Sequence, residues 1–144
     1  MNELLTLFTR ASKLLRAAAD DAMSAHGVRV GQNIVLEALW DTDGLTPGQI
    51  AQRVGLTTPT VVNTTTRMEG AGLVVRRPDP HDARLVRVHL TEHGLSVRGV
   101  IEVERDGLAR RATAGLTKDE RRHLHTSLQK IINELTDDLD APPG

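Results

Sequence analysis

Cysteine is absent from the 144 residues. That excludes disulfides, thiolate nucleophiles, thiol redox switches and cysteine-ligated zinc together. Aromatic side chains are almost missing as well. Trp40 is the only tryptophan, Phe8 the only phenylalanine, and there is no tyrosine, so aliphatic residues must fill the core. No apolar run approaches the roughly 18 residues of a membrane span, and the start MNELL lacks the basic-then-apolar order of a secretory signal. A soluble, cytoplasmic chain with no membrane partner is expected. The marks of common enzymes are also lacking: there is no phosphate-cradling glycine loop, no nucleophile elbow and no metal triad, and serine is scarce. Neither catalysis nor a cofactor is expected.

The histidines do not form a metal site. His123 and His125 stand two apart on an expected helix, about 200° round from each other, and cannot chelate one ion together. His81 belongs to a turn, and His26, His89 and His93 have no ligand pattern beside them. Lysine is rare too, occurring only at 13, 118 and 130, so arginine carries nearly all the positive charge. Its planar fork suits phosphates and base edges, although genome base composition produces the same bias.

What is present is unevenly distributed. The net charge is −1, yet between Thr46 and Leu90 Arg53, Arg67, Arg76, Arg77, Arg84 and Arg87 face only Glu69, Asp79 and Asp82. From Thr117 to Asp140 acids outnumber bases. A basic centre beside an acidic tail is a local electrostatic footprint.

Taken in order, Leu4, Phe8, Ala11, Leu15, Ala18 and Ala22 recur at spacings of four and three. That seven-residue repeat marks a helix packing lengthwise on other helices, and His26-Gly27 ends it. Gly31–Trp40 reads as a second helix with Val35, Leu36, Leu39 and Trp40 inward. Thr46-Pro47-Gly48-Gln49 is a capping box with proline at the first helical position. The short helix it opens, with Ile50, Ala51 and Val54 inward, stops at Gly55. A further helix is capped by Thr57 or Thr58 and carries Val61, Thr65 and Met68 on one side. Thr58, Thr60, Asn63, Thr64 and Arg67 lie elsewhere on it. Threonine is a mediocre helix former, so these residues suit a compact polar face better than a purely structural helix. Gly70-Ala71-Gly72 stops it.

Two strands follow, Leu73–Arg77 and Arg84–Leu90, joined by Pro78–Ala83. Thr91 then caps a long helix to about Thr113, with Val97, Ile101 and Leu108 on its stripe. A second capping box, Thr117–Glu120, opens a last helix with Leu124, Leu128, Ile131, Leu135 and Leu139, and 140–144 is an expected frayed end. The fold class is therefore mainly α with a small β-hairpin wing: a winged helix-turn-helix lobe at 30–91, and dimerisation helices at 1–29 and 92–144. The seams of the first and last helices exceed what a small lobe can cover, and a two-fold partner is the economical cover for them.

In this order and spacing the chain resembles the MarR family of bacterial transcription regulators, from about Leu4 to Leu139. The most specific part is residues 45–94: Leu45-Thr46, Thr60-Val61, Arg67-Met68-Glu69, Gly72-Leu73-Val74, Arg77-Pro78-Asp79, Asp82-Ala83-Arg84, and Leu90-Thr91-Glu92 with Gly94. The resemblance implies a homodimer bound to a pseudo-palindromic operator in double-stranded DNA. The helix from Thr57 would enter the major groove, Arg84 would reach the neighbouring minor groove, and Asp82 would hold the wing in shape. A small aromatic or phenolic effector, bound between the dimerisation helices and the DNA-binding lobe, would release a repressor. The chain departs from the pattern at Asn63, where a basic residue is common, at Thr64-Thr65-Thr66, and at Ala83, where a second wing arginine is common.

The expected DNA contacts on the recognition helix are thus Thr57, Thr58, Thr60, Asn63, Thr64 and Arg67. On the wing they are Arg84, Asp82, Arg77 and Arg87. Threonine methyls can touch thymine and an asparagine amide can bond adenine bidentately, while a guanidinium on a hairpin tip suits a narrow, A·T-rich minor groove. For Arg84 the competing role is a hairpin salt bridge to Asp82. Ser12, Arg16, His26 and Trp40 are candidates for an effector cavity, with core packing the alternative for Trp40. A ligand-independent regulator, or a winged helix that binds protein rather than DNA, would share these features.

Overall fold

The computed structural model describes residues 1–140. Its elements run α1 (Asn2–Ser24), α2 (Gln32–Asp41), α3 (Pro47–Val54), α4 (Thr58–Gly70), β1 (Val74–Pro78), β2 (Val86–Leu90), α5 (Glu92–Ser96), α6 (Arg98–Ala112) and α7 (Lys118–Asp140). Of the expected frayed end at 140–144, Asp140 instead closes α7, and 141–144 lie outside the described residues. By its backbone contacts the chain forms two compact units, Met1–Leu108 and a second beginning at Ala109.

The first unit has one aliphatic core. Met23 and Val28 meet Val35, Leu36 and Leu39 of α2, Ile50 of α3, Val61 and Met68 of α4, Leu73, Val74 and Val88 of the hairpin, and Val97 and Ile101 beyond it. The end of α1 and the start of α6 therefore share the core of the helix-turn-helix. Trp40 is only half-buried. Its Nε1 donates to Gly94 O at 2.8 Å and the Arg98 guanidinium lies 5.9 Å from the ring centroid.

Local chemistry sets the element ends. Thr46 Oγ1 accepts from Gln49 N at 3.2 Å and Gln49 Oε1 accepts from Thr46 N at 2.9 Å, closing the capping box of α3. Thr57, not Thr58, caps α4, its hydroxyl accepting from Thr60 N. Helix α4 ends through a left-handed Gly72 (φ +75°), with Leu73 N bonded back to Met68 O at 3.0 Å. This 6→1 bond satisfies a carbonyl that would otherwise be orphaned.

The hairpin pairs Val74 with Leu90 through Pro78 with Val86. The second strand thus starts at Val86, two residues later than expected, because Asp82–Leu85 close the turn with Leu85 N bonded to Asp82 O at 3.0 Å. A bridge from Leu45 to Val88 ties the hairpin to the segment before α3. The long helix expected after Thr91 is interrupted at Val97, whose backbone (φ −76°, ψ −10°) stays in the right-handed region. Val97 N still bonds His93 O and Ile101 N still bonds Val97 O, so the helical bonding continues across the break.

In the second unit Thr117 and Glu120 form their expected box, with Glu120 N to Thr117 Oγ1 at 3.1 Å and Thr117 N to Glu120 Oε1 at 3.0 Å. The Thr117 backbone donor first, and then its side chain, favour the ionised carboxylate and lower the Glu120 pKa. Leu124, Leu128, Ile131, Ile132 and Leu135 of α7 are all exposed, as are Leu4, Leu5, Leu7, Phe8, Leu14 and Leu15 of α1 in the first unit. Among the described residues no helix is long and apolar enough to cross a membrane.

Candidate nucleic-acid interface

Helix α4 presents three faces. Val61, Thr65 and Met68 are fully buried. Residues two positions away lie about 200° round the helix, so Pro59, Asn63 and Thr66 face outward, and all three are exposed. Between the two, Thr60, Thr64 and Arg67, spaced four and three apart, line a cavity of about 630 Å³ shared with Lys13, Arg16, Asp20 and Arg29.

The polar set expected on α4 is thereby divided. Asn63 and Thr58 are exposed, and neither side chain has a hydrogen-bond partner among the described residues. Thr60, Thr64 and Arg67 border the cavity. Thr57 is occupied as the cap. Pro59, Val62 and Thr66, which sequence reasoning passed over, belong to the exposed surface. The phase of the buried triplet was the signal for Pro59 and Thr66.

The wing is held by two carboxylates. Asp79, 8% exposed, accepts from His81 N at 2.7 Å and Asp82 N at 2.9 Å. Its other oxygen accepts from Arg87 Nε, and Arg87 reaches on to Gly44 O at 2.8 Å. Arg87, then the two backbone donors, hold the Asp79 pKa down to about 2 against an ordinary 3.8. Arg87 was expected among the wing contacts. Its guanidinium is instead committed to internal partners, because a nearly buried carboxylate requires a cation beside it.

Asp82 binds Arg84 three ways, to N at 3.1 Å, Nε at 3.0 Å and Nη2 at 3.1 Å. The Arg84 side chain bond, then the backbone bond, lower the Asp82 pKa, and Asp82 raises that of Arg84. The guanidinium nevertheless stands 89% exposed at the tip. Its salt bridge therefore fixes its direction without removing it from solvent. Arg77 is exposed with no partner among the described residues. Arg76 is turned back to Glu69, its N donating at 2.9 Å and its Nη2 at 3.2 Å; the backbone bond first, and then the side chain, lower the Glu69 pKa.

Of the four residues expected at an effector cavity, only Arg16 lines the one beside α4. Ser12 is exposed on α1, His26 Nε2 meets Glu104 at 3.4 Å, and Trp40 packs at α5. Lys13 was missed; it sits three residues from Arg16 on the same side of α1. Around the cavity Asp20 pairs with Arg29 at 2.8 Å, whereas Lys13, Arg16 and Arg67 have no ion-pair partner among the described residues.

A capped pair of short helices joined by a glycine turn, with a stapled hairpin beside the second, defines a winged helix-turn-helix protein. The family model described as MarR family matches residues 26–85. The HTH-type transcriptional regulator TtmR of Methylorubrum extorquens is 31% identical over 113 residues, 78% of this chain, and the chain spans 57% of its length. Among solved structures, the transcriptional regulator SlyA superposes with a TM-score of 0.85 at 20% identity, covering 95% of this chain and 96% of that one. The Staphylococcus aureus MepR–DNA complex gives 0.80 at 25% identity, covering 90% and 96%. The chain thus carries the MarR-family module at residues 26–85, and the curated relatives it matches are named HTH-type transcriptional regulators.

Proposed function

We propose that this protein is a cytoplasmic, homodimeric repressor that binds a pseudo-palindromic operator and leaves it when a small anionic molecule enters the cavity beside α4. The observation that carries the reading is the exposed face of α4 standing next to a wing whose tip arginine, Arg84, is held out into solvent. MepR, of the same fold, has been crystallised with DNA bound. Residues 30–91 form the DNA-binding lobe, and 1–29 with 92–144 supply self-association. On this reading Asn63, Thr58 and the outward part of α4 enter the major groove, Arg84 enters the adjacent minor groove, and Arg77 faces a phosphate. Two copies are required because one helix and one wing read half a site. The exposed leucines of α1 and α7 supply the apolar surface for pairing.

The effector reading is supported by the cavity chemistry. Lys13, Arg16 and Arg67 bring like charges to one space, and a carboxylate or phenolate placed there would relieve them. Because Thr60, Thr64 and Arg67 belong to α4 itself, such a ligand would act directly on the recognition helix. The test is a gel shift of the full chain against pooled genomic fragments over a salt series. Phosphate contacts release counterions, so retention should fall steeply as salt rises. A folded protein that retains no fragment at low salt rules the reading out. Small aromatic acids are then added to the retained complex, and release confined to the free-cation cavity should vanish in Lys13→Ala/Arg16→Ala.

A further inference from the structure

Apart from that of Thr58, the threonine hydroxyls along α4 and at its cap are already engaged. Thr64 Oγ1 donates to Thr60 O at 2.9 Å, Thr65 Oγ1 to Val62 O at 3.1 Å and Thr66 Oγ1 to Val62 O at 2.8 Å. The hydroxyls of Thr57 and Thr60 bond each other at 2.8 Å. A hydroxyl has one proton. Once that proton goes to a carbonyl of its own helix, the side chain can no longer donate outward and offers only acceptor lone pairs and its methyl group.

The outward face therefore presents mostly carbon. Pro59, Val62 and Thr66 follow one another at spacings of three and four, a single line along the helix, and Val62 is 37% exposed. Asn63 stands beside that line with its amide free. Folding does not account for an exposed carbon stripe here, because Val61, Thr65 and Met68 already bury the inward face. Nor does the stripe carry an arginine, the usual bidentate partner of guanine; Arg67 lies on the cavity side.

We propose that the Val62 and Thr66 methyl groups read the 5-methyl groups of thymine in the major groove, with Asn63 bonding an adjacent adenine edge. Each half-site is then selected as A·T pairs largely through carbon contact. The inference rests on the DNA-binding reading above and names what that site recognises. Thymine alone among the four bases carries a methyl group in the major groove, and two methyl surfaces gain by excluding water between them.

The test begins by selecting duplexes from a randomised library with the full chain. The best-bound duplex is resynthesised with uracil, which lacks only the 5-methyl, at one thymine at a time. Uracil should weaken binding about fourfold at one or two neighbouring positions per half-site, the effect of withdrawing one methyl-sized contact. Val62→Ala and Thr66→Ser, both at exposed positions, should each abolish the thymine preference at one position. Thr66→Val, which keeps the methyl and removes the hydroxyl, should retain it. If thymine and uracil duplexes bind equally while salt-sensitive binding persists, methyl reading is rejected and DNA binding stands. Equal loss in Thr66→Val and Thr66→Ser also overturns the proposal, since the hydroxyl would then do the reading. Failure to select any duplex overturns the DNA-binding reading instead.

Discussion

Asp79 governs the wing more than any arginine on it. Three donors converge on its carboxylate, and its pKa falls to about 2 from an ordinary 3.8. A carboxylate with a lowered pKa stabilises the fold fully above its unfolded value, and that contribution is lost as pH falls through the folded value. The chain should therefore hold its wing above about pH 4 and loosen it between about 4 and 2. Asp79→Asn should remove that acid-limb dependence and lower Tm by several degrees at neutral pH, measured by circular dichroism; an unchanged acid limb counts against the role. Sequence reading places the holding role on Asp82 alone, whereas Asp82, bonded to Arg84 N and to the Arg84 guanidinium, shares it with Asp79. The two aspartates sit three apart in one turn, and only the fold decides which carboxylate is enclosed. For Arg84 itself, replacement by alanine should weaken operator binding about tenfold, toward the low end of the roughly 1–3 kcal/mol of a base contact. The loss should concentrate on operators with A·T-rich flanks. Uniform loss across flanks in a binding titration would assign Arg84 to a phosphate.

At the scale of elements, caps and stops were the most legible features. Thr46-Gln49 and Thr117-Glu120 act locally, within four residues, and local hydrogen bonding is what sequence spacing encodes. Gly94 was legible as a motif but not in its reason. A Cβ there would lie 2.1 Å from Leu73 O, so α5 can approach the start of the hairpin only without a side chain. Gly94→Ala should destabilise the chain by about 1–3 kcal/mol, the usual cost of overpacking, in denaturant titration; a stability within about 0.5 kcal/mol of the parent would show that α5 can shift. The division of α4 between an outward face and a cavity face was not legible. It depends on where α1 lies relative to α4, and nothing within the α4 segment records a neighbour more than 40 residues away in the chain.

For the whole molecule, α1 in the first unit and α7 in the second each leave a row of large apolar residues exposed. Leu128 and Leu135 are 41% and 60% exposed, while the side chain of Leu139 lies outside the described set. If these helices associate, Leu128→Glu with Leu135→Glu should convert a dimer to a monomer in sedimentation and abolish operator retention, because half-site affinity alone is weak. A variant that remains dimeric and bound would move the pairing surface elsewhere. The heptad in α1 and the repeat in α7 were readable because helix packing has its own period; their assignment to a partner was an inference from how little lobe there is to cover them.

Trp40 has a practical consequence. With no tyrosine and a single tryptophan in the chain, ultraviolet emission excited at long wavelength comes from one indole. That indole is half-buried, bonded to Gly94 O and stacked near Arg98, where α2 meets α5. Helix α2 begins at the cavity wall, at Gln32 and Ile34. Its far end thus carries an optical reporter already in place, whose colour should register unfolding, and any tilt of α2 on ligand entry, without a label.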